Sequence, residues 1–430
     1  MEYDFEDSKK SFADYVDRCK DKLMSTFFTE RDIFGTDVYN NVSNLSHDEI
    51  NEMITNKRMK MIESKVAHTM RMVKQIIEIN KILDVRFDFD LILKNAILFH
   101  DVGRFSQAMR GDTYKDSEFY AENSPVKNGF SNHGHEGSSV YLNEKFSVDD
   151  AYKWTISESI KYHGIPNDGT TPNTRYLDSD KIYSFGFDDL LKGPVNPKTV
   201  KEMNSSEILA FSLVTQLVAD IDKIDILFQC KNATFDNGML VRNHIFDKSR
   251  DSLSNIAKKW GVSKEDILDF NGSLTENTYD ENRTDNGKKN VGLRIPIEKM
   301  DISKLKISDD FMYMLKTNNW PGSSDEEGLR LLQSRNDWNF LTIFLWRLGK
   351  FICDINVTAV LKSMDDLELL DDLKVKFIEM GNKLIDVNGM PMGNELFSLV
   401  EEGFNYVYGV VQERVFANRN NIIIEDKKIR

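Results

Sequence analysis

The adjacent pair His100-Asp101 is the feature of the sequence that points most directly to chemistry. It lies in the otherwise apolar run LILKNAILFHDVGRF. An imidazole and a carboxylate from consecutive residues offer the mixed nitrogen and oxygen ligands that divalent metals accept. An unpaired charge is unfavourable in such an apolar run, and a bound metal ion would compensate it. The alternative interpretation is a solvated helix C-terminus, since Gly103 and Arg104 follow the pair.

Four further residues have side chains that would complete a metal site. His68 lies on a segment with helical apolar spacing, and Asp220 lies in the strongly apolar run ILAFSLVTQLVADIDKIDIL. His135 lies in NHGHEGSSVYL, and His163 lies in ISESIKYHGIP. Three of them also have a simpler interpretation. His68 could be a core histidine, His163 a cation at a helix end, and Asp220 the partner of Lys223 in an ion pair.

The order His, His-Asp, His, His, Asp resembles that of the HD-domain superfamily of metal-dependent phosphohydrolases. The resemblance covers roughly residues 60–230 and includes the flanking motifs HDVGRF, HEGSSVYL and LVADIDKIDIL. His133 competes with His135 for the third histidine position. His135 is preferred because Ser139 and Leu142 match the helix that follows this histidine in the family. The ligands that the resemblance implies are His68, His100, Asp101, His135, His163 and Asp220.

The resemblance also implies how such ligands would be shared. Two divalent ions would use Asp101 as a bridging carboxylate, and the sequence does not choose among Mn, Fe, Co, Ni, Zn and Mg. The other ligands would divide into His68, His100 and Asp220 for one ion, and His135 and His163 for the second. Members of the family with only the His, His-Asp, Asp set hold one ion, so the two additional histidines favour two.

A phosphohydrolase of this kind would cleave a phosphoester or phosphoanhydride bond with a metal-activated water. Its expected catalytic residues are Asp101, Arg104 and Lys223. Arg104 lies one helical turn beyond the His-Asp pair, and Lys223 lies three residues after Asp220, so both could face phosphate. The expected substrate is a nucleotide or a related small phosphorylated compound.

Two other classes of function stay open. One is a sensor or scaffold in which an HD-like core binds a ligand without turnover. The other is an oxygenase with a di-iron site, which needs similar ligands. Release of phosphate as opposed to consumption of oxygen would separate the second alternative from a phosphohydrolase.

Composition narrows the classes further. The formal net charge is −14 and no long basic cluster occurs, which argues against binding to duplex DNA. Three cysteines, Cys19, Cys230 and Cys353, are too few for a disulfide framework and indicate a reducing compartment. The N-terminal stretch lacks the apolar core of a signal peptide, and no apolar run is long enough to span a membrane. We therefore expect a cytoplasmic protein without a membrane partner, its oligomeric state undetermined.

Residues 235–300 interrupt the helical pattern. The pattern predicts a strand at Leu240–Phe246, a helix starting near Asp251 and ending at Gly261, and a second helix capped by Ser263. A turn at Asn271-Gly272 and the strand GLRIPI would follow. This β-α-α-β order resembles a LysM module, although the connection TENTYDENRTDNGKKN is longer than usual. The length puts carbohydrate binding in doubt. Peptidoglycan, a chitin-type glycan, a protein partner and a purely structural role all stay open, the structural or protein-binding role being favoured.

The sequence as a whole predicts a mainly α fold, with an HD-domain helical core, this small inserted module and C-terminal helices. The expected parts are an N-terminal helical cap at 1–60, the catalytic core at 61–234, the LysM-like insert at 235–300 and a helical part at 301–430 that packs on the core. Two long polar connections, 105–134 and 164–204, are expected to act as a flap and a lid over the site.

Overall fold

The chain is mainly α-helical, as its sequence predicts. The computed structural model describes residues 4–29, 45–83, 87–110, 133–144, 146–148, 152–163, 205–229, 244–247, 252–270, 290–293, 296, 305–317, 339–353, 355, 357–386 and 388–426. The helices of the N-terminal half are α1 (Phe5–Ser25), α2 (His47–Leu83), α3 (Phe87–Phe99), α4 (Val102–Arg110), α5 (His133–Asn143), α6 (Lys153–Tyr162) and α7 (Ser205–Gln229). The remaining elements are β1 (His244–Asp247), α8 (Leu253–Trp260), α9 (Lys264–Phe270), β2 (Asn290–Leu293), α10 (Asp309–Thr317), α11 (Phe340–Cys353), α12 (Thr358–Asp366), α13 (Leu369–Gly381) and α14 (Gly393–Asp426).

Helix α1 covers one side of the N-terminal bundle. Its start is capped by Asp4, whose carboxylate accepts a hydrogen bond from the backbone N–H of Glu6. Phe12, Val16 and Leu23 recur at helical spacing and are buried, so α1 presents one apolar face. That face packs on α2, α3 and α4.

Helix α3 is the central element of the bundle. It is apolar nearly all round, with Leu93, Ala96, Ile97 and Phe99 inaccessible to solvent, and a helix of this composition must be enclosed by others. Helices α1, α2, α6 and α7 pack against it. The C-terminus of α3 therefore ends inside the bundle, where helices from distant parts of the sequence can meet it.

Two glycines allow the helices around that point to approach closely. A Cβ atom on Gly103 would lie 2.4 Å from the backbone oxygen of His133, so α4 and the first turn of α5 touch through their backbones. A Cβ atom on Gly134 would lie 2.6 Å from the backbone oxygen of Lys161, so α5 meets the end of α6 in the same way. These contacts fix where His133 and the residues after α6 are placed.

The C-terminal helices bury an aromatic-rich segment and contact the bundle. Most of α11 is inaccessible to solvent, including Phe340, Phe344 and Trp346, which agrees with core packing as the reason for its composition. Helix α14 packs on α10, α11, α12 and α13, and α12 also packs on α2 and α7. None of the described helices is both long and apolar enough to cross a bilayer.

The described elements of residues 244–293 follow the β-α-α-β order that the sequence predicts. β1 pairs with β2 in antiparallel register, and residues 240–243 of the first expected strand lie outside the described residues. Ser252 caps α8, and Gly261 ends it in the left-handed conformation at φ 65°. The turn at Asn271-Gly272 lies outside the described residues, as do residues 111–132 of the expected flap and all of the expected lid.

The glycine contacts lead to a prediction with opposite signs at two positions. Gly103→Ala forces a methyl group into the backbone of α5 and is expected to lower the free energy of unfolding by about 3 kcal/mol. Gly409→Ala, at an exposed position of α14, meets no atom within 4 Å and is expected to raise the free energy of unfolding by about 0.5–1 kcal/mol. Urea titrations of both variants would measure these changes, and equal effects would contradict the close packing of α4 on α5.

Candidate metal centre

His100 and Asp101 form the turn between α3 and α4. The two residues are 0% and 3% exposed, so the interpretation as a solvated helix end is wrong. Gly103 and Arg104 belong to the next helix, α4, instead of ending the first one. The Nε2 atom of His100 lies 3.5 Å from Oδ2 of Asp101, so both side chains enter the same buried space.

Six ionisable side chains from five parts of the chain meet in that space, and we call them the central cluster. Its members are His68 of α2, His100 and Asp101 of the turn, His133 at the start of α5, His163 after α6 and Asp222 of α7. His68 Nε2 lies 3.2 Å from His100 Nε2 and 3.1 Å from Asp222 Oδ1. His133 Nε2 lies 3.1 Å from His163 Nε2.

Hydrogen bonds at the far side of the rings fix how two of these histidines face the cluster. His100 Nδ1 donates to the backbone oxygen of Ile97 at 2.7 Å, and His163 Nδ1 donates to the backbone oxygen of Ile160 at 2.6 Å. A carbonyl can only accept, so Nδ1 carries the proton in both rings. In the neutral tautomer the Nε2 atoms of both rings are therefore acceptors, and their lone pairs are directed at the neighbouring imidazoles.

A lone pair that faces another ring nitrogen at 3.1–3.2 Å needs a proton or a cation between the two atoms. Two nitrogens that bind one transition-metal ion at about 2.1 Å, with an angle of about 90–110°, lie about 3.0–3.4 Å apart. The two imidazole pairs have this separation. The donor set, its spacing and its burial therefore fit divalent metal ions.

The carboxylate of Asp101 lies between the two imidazole pairs. Its Oδ2 atom is 3.5 Å from His100 Nε2 and 3.7 Å from His68 Nε2, whereas Oδ1 is 3.7 Å from His133 Nε2. We call His68, His100 and Asp222 the first subsite and His133 and His163 the second subsite. One oxygen of Asp101 faces each subsite, and His100 also lies close enough to Asp101 and His163 to share an ion with them. This arrangement is the one that a bridging carboxylate requires.

His68 is held by a charged network behind it. Its Nδ1 atom donates to Asp225 Oδ2 at 2.7 Å, and Asp225 is fully buried. Arg71 donates to both oxygens of Asp225 at 2.9 and 2.8 Å, and Gln75 donates at 3.3 Å. A carboxylate behind a histidine orients the ring and makes its other nitrogen a better ligand, so Asp225 is a positioning residue for His68.

The metal-free cluster binds a proton at His68. Burial by itself lowers the pKa of His68, but its hydrogen bonds to Asp222 and Asp225 outweigh burial and raise the pKa to about 9. Burial lowers the pKa of His100 to about 4, although Asp101 acts in the opposite direction. Burial, with Arg104 and His163, also holds the pKa of His133 well below its usual value. The Nε2–H of protonated His68 donates to Asp222 Oδ1 at 3.1 Å, with His100 Nε2 as a second acceptor at 3.2 Å.

Both carboxylates of the cluster are ionised. Burial alone would raise the pKa of Asp101, but the ammonium of Lys65 and the surrounding histidines hold it well below its usual value. Burial also opposes ionisation of Asp222, and its hydrogen bond to His68 outweighs burial and lowers the pKa of this carboxyl. The cluster therefore presents two negative charges to a cation.

The structure does not bring Asp220 into the cluster, and this expectation needs correction. Asp220 is fully buried and accepts hydrogen bonds from Gln216 Nε2 at 2.7 Å and from the backbone N–H of Val357 at 2.9 Å. Its carboxylate thus ties α7 to the start of α12. Asp222 points to the first subsite instead, because two residues correspond to a rotation of about 200° around a helix.

His135 also lies outside the cluster, and His133 takes the place expected for it. His135 is partly exposed, and its ring centroid lies 6.1 Å from that of Tyr162. His133 and His135 project to opposite sides of α5, and the contact of Gly103 with His133 selects which one faces inward. The match of Ser139 and Leu142 to a family pattern did not reveal this rotation.

Of the two cations expected near phosphate, Arg104 lies at the central cluster and Lys223 lies beside Asp220. Arg104 Nε lies 3.9 Å from Asp101 Oδ1, at the edge of the cluster. Lys223 Nζ lies 3.9 Å from Asp220 Oδ1, and is thus placed beside the structural carboxylate. Lys65, which the sequence reasoning missed, donates to Asp101 Oδ2 at 2.7 Å. Its position three residues before His68, on the same face of a helix, is the signal that could have identified it.

Substitutions at the two aspartates separate a ligand from a structural residue. Asp222→Asn is expected to lower the metal content from about two ions per chain to about one, with little loss of stability. Asp220→Asn is expected to lower the free energy of unfolding by about 1–3 kcal/mol, because it weakens the link to Val357, and to leave the metal content of the folded protein unchanged. Plasma mass spectrometry measures the metal content, and urea titration measures the free energy of unfolding. Loss of metal in Asp220→Asn alone would restore the original assignment.

The raised pKa of His68 predicts that metal binding releases protons. His68 is protonated below about pH 9 in the metal-free protein, and a metal needs the neutral imidazole. We expect release of about one proton per chain at pH 7.5, and an affinity that rises with pH until about 9. Calorimetric titration with Mn²⁺ in buffers of different ionisation enthalpy counts the protons. The same release at pH 7.5 and at pH 10 would contradict this prediction.

Comparison of the chain with protein-family models, with curated proteins and with solved structures gave no match. The resemblances to the HD-domain superfamily and to a LysM module therefore rest on the motifs quoted above. What the structure contributes is the geometry of the central cluster, in which most of the expected ligands meet, together with the β-α-α-β order of residues 244–293.

Proposed function

We propose that the protein is a metal-dependent phosphohydrolase that cleaves a phosphoester or phosphoanhydride bond of a nucleotide or a related small phosphorylated compound. The observation that carries the proposal is the position of Asp101, with one oxygen toward each of two convergent ligand sets. This pattern suits two divalent ions that share a carboxylate. We propose in addition that the fold is an HD-type core with a LysM-like insert.

The ligands proposed for the first ion are His68, His100 and Asp222, and those for the second are His133 and His163, with Asp101 shared. Mixed imidazole and carboxylate donors suit Mn, Fe, Co, Ni or Zn better than Mg, which prefers oxygen. When bound, such ions polarise a phosphoryl oxygen and lower the pKa of a coordinated water. The tight burial of the histidines holds the donors in fixed positions, so little reorganisation is needed on binding.

The residues around the cluster supply the remaining parts of a phosphate-binding site. Arg104 lies beside Asp101 Oδ1 and is 21% exposed at its side chain, so its guanidinium can contact both the cluster and a ligand that enters from solvent. Asp225 and Arg71 keep His68 oriented during the reaction. Asp222, which is more exposed than the other ligands, is on the side of the cluster that solvent reaches.

An enzyme explains the cluster better than the alternative of a ligand-binding sensor or scaffold. A scaffold needs no set of six convergent side chains with a buried carboxylate, Asp225, orienting one of the histidines from behind. A role for the LysM-like insert in binding a protein or a glycan is compatible with either function. The insert adds nothing to the central cluster among the described residues.

The test is hydrolysis of a panel of nucleotides and simple phosphoesters by the full chain loaded with Mn²⁺. Asp101→Ala removes the shared ligand, and His133→Ala removes one ligand of the second subsite. Both are expected to lower kcat/KM by more than the 10–100-fold that is roughly typical of residues outside the ligand shell. His135→Ala is the matched control, two residues from His133 on the same helix, and should retain activity within about threefold.

The outcomes separate the candidate functions. Phosphate release that depends on Asp101 and His133 supports the phosphohydrolase. Oxygen consumption by the iron-loaded protein, without phosphate release, would support the oxygenase alternative instead. Metal uptake with neither activity would favour the sensor, and wild-type turnover in Asp101→Ala would show that the central cluster is not the active site.

A further inference from the structure

We infer that Lys65 binds the phosphoryl oxygens of the substrate, an assignment that rests on the proposed function. Lys65 lies on α2, one helical turn before His68, and its Nζ atom donates to Asp101 Oδ2 at 2.7 Å. The side chain of Lys65 is 38% exposed, whereas that of Asp101 is 4% exposed. The side chain of Lys65 therefore extends from the protein surface to Asp101, the most deeply buried carboxylate of the cluster.

A purely structural ion pair does not account for this placement. The pair compensates the buried charge of Asp101, yet the side chain of Lys65 stays 38% exposed and so remains open to a ligand that enters from solvent. The same oxygen of Asp101 also faces His100 and His68 at 3.5 and 3.7 Å. Lys65 thus shares its acceptor with the nitrogens of the first subsite.

The charge balance around Asp101 changes when a divalent cation binds its Oδ2 atom. Asp101 then has to neutralise both the metal and the ammonium, and Lys65 lies beside a like charge. Repulsion between the two cations is relieved by an anion in contact with both. A phosphoryl oxygen provides that anion, and the three donors of an ammonium can hold it without fixed orientation.

Lys65 and Arg104 lie at the two oxygens of Asp101. Lys65 contacts Oδ2, and Arg104 Nε lies 3.9 Å from Oδ1. The position of the two cations on both sides of the shared carboxylate suits a phosphoryl group carrying two negative charges. Lys223, which the sequence suggested for this role, lies beside Asp220 instead.

Inorganic phosphate is the probe that tests Lys65 without a known substrate. The full chain is loaded with Mn²⁺, its metal content is measured, and phosphate is titrated calorimetrically into wild type, Lys65→Gln and Lys60→Gln. Lys60 lies on the same helix and is exposed, so it controls for loss of one positive charge. We expect unchanged metal content in all three proteins and about a tenfold or larger rise in the phosphate Kd for Lys65→Gln alone. Lys65→Arg, which keeps the charge, should restore most of the affinity.

Each other outcome overturns the inference in a distinct way. Equal phosphate affinity of wild type and Lys65→Gln, or no phosphate binding by metal-loaded wild type, would remove the role of Lys65 and leave the metal site standing. Loss of metal in both Lys65 variants would make Lys65 a support for Asp101. Failure of wild type to take up metal would instead reject the proposed function, and the inference with it.

Discussion

The carboxylate of Asp101 is buried within reach of three imidazoles and one ammonium, and a negative charge so placed requires compensation on every side. This requirement explains why distant parts of the chain meet at one point. His68 comes from α2, His133 from α5 and Asp222 from α7. Each of them either meets Asp101 or binds a residue that does, so the helices are arranged around this single charge.

The bundle meets that requirement with apolar packing and close backbone contact. The largely buried helix α3 ends directly at His100, which places the pair at the centre of the bundle instead of at its surface. Gly103 lets α4 touch the first turn of α5, and the orientation of His133 follows from that contact. The rigidity of the donors thus has its origin in helix packing, whereas their electrostatics come from Lys65 and Asp225.

The sequence predicts features that depend on local pattern. It does not predict which side of a helix faces the cluster, because that depends on how the helix is rotated about its axis. Apolar spacing is enough to predict the mainly helical fold, and the order His, His-Asp, His, His, Asp, through its resemblance to a known family, identifies four of the six cluster residues. Asp220 and Asp222 lie on one continuous helix, so their types alone cannot tell which carboxylate faces inward. In the same way, the sequence does not tell whether His133 or His135 faces the cluster. In each case the choice is made by a contact with a segment distant in sequence: Val357 for Asp220 and Gly103 for His133.

The hydrogen bond from the backbone of Val357 to Asp220 links the N-terminal helices to the C-terminal helices. It joins the helix that carries Asp222 to residues that follow the β-α-α-β segment in the chain. A fragment that stopped before residue 301 would lack Val357, so Asp220 would lose this hydrogen-bond donor. Asp220 lies two residues before Asp222 of the central cluster. Residues 339–426 are therefore part of the structure that supports the cluster. The helices before and after the β-α-α-β segment thus pack on one another, with α12 against α2 and α7.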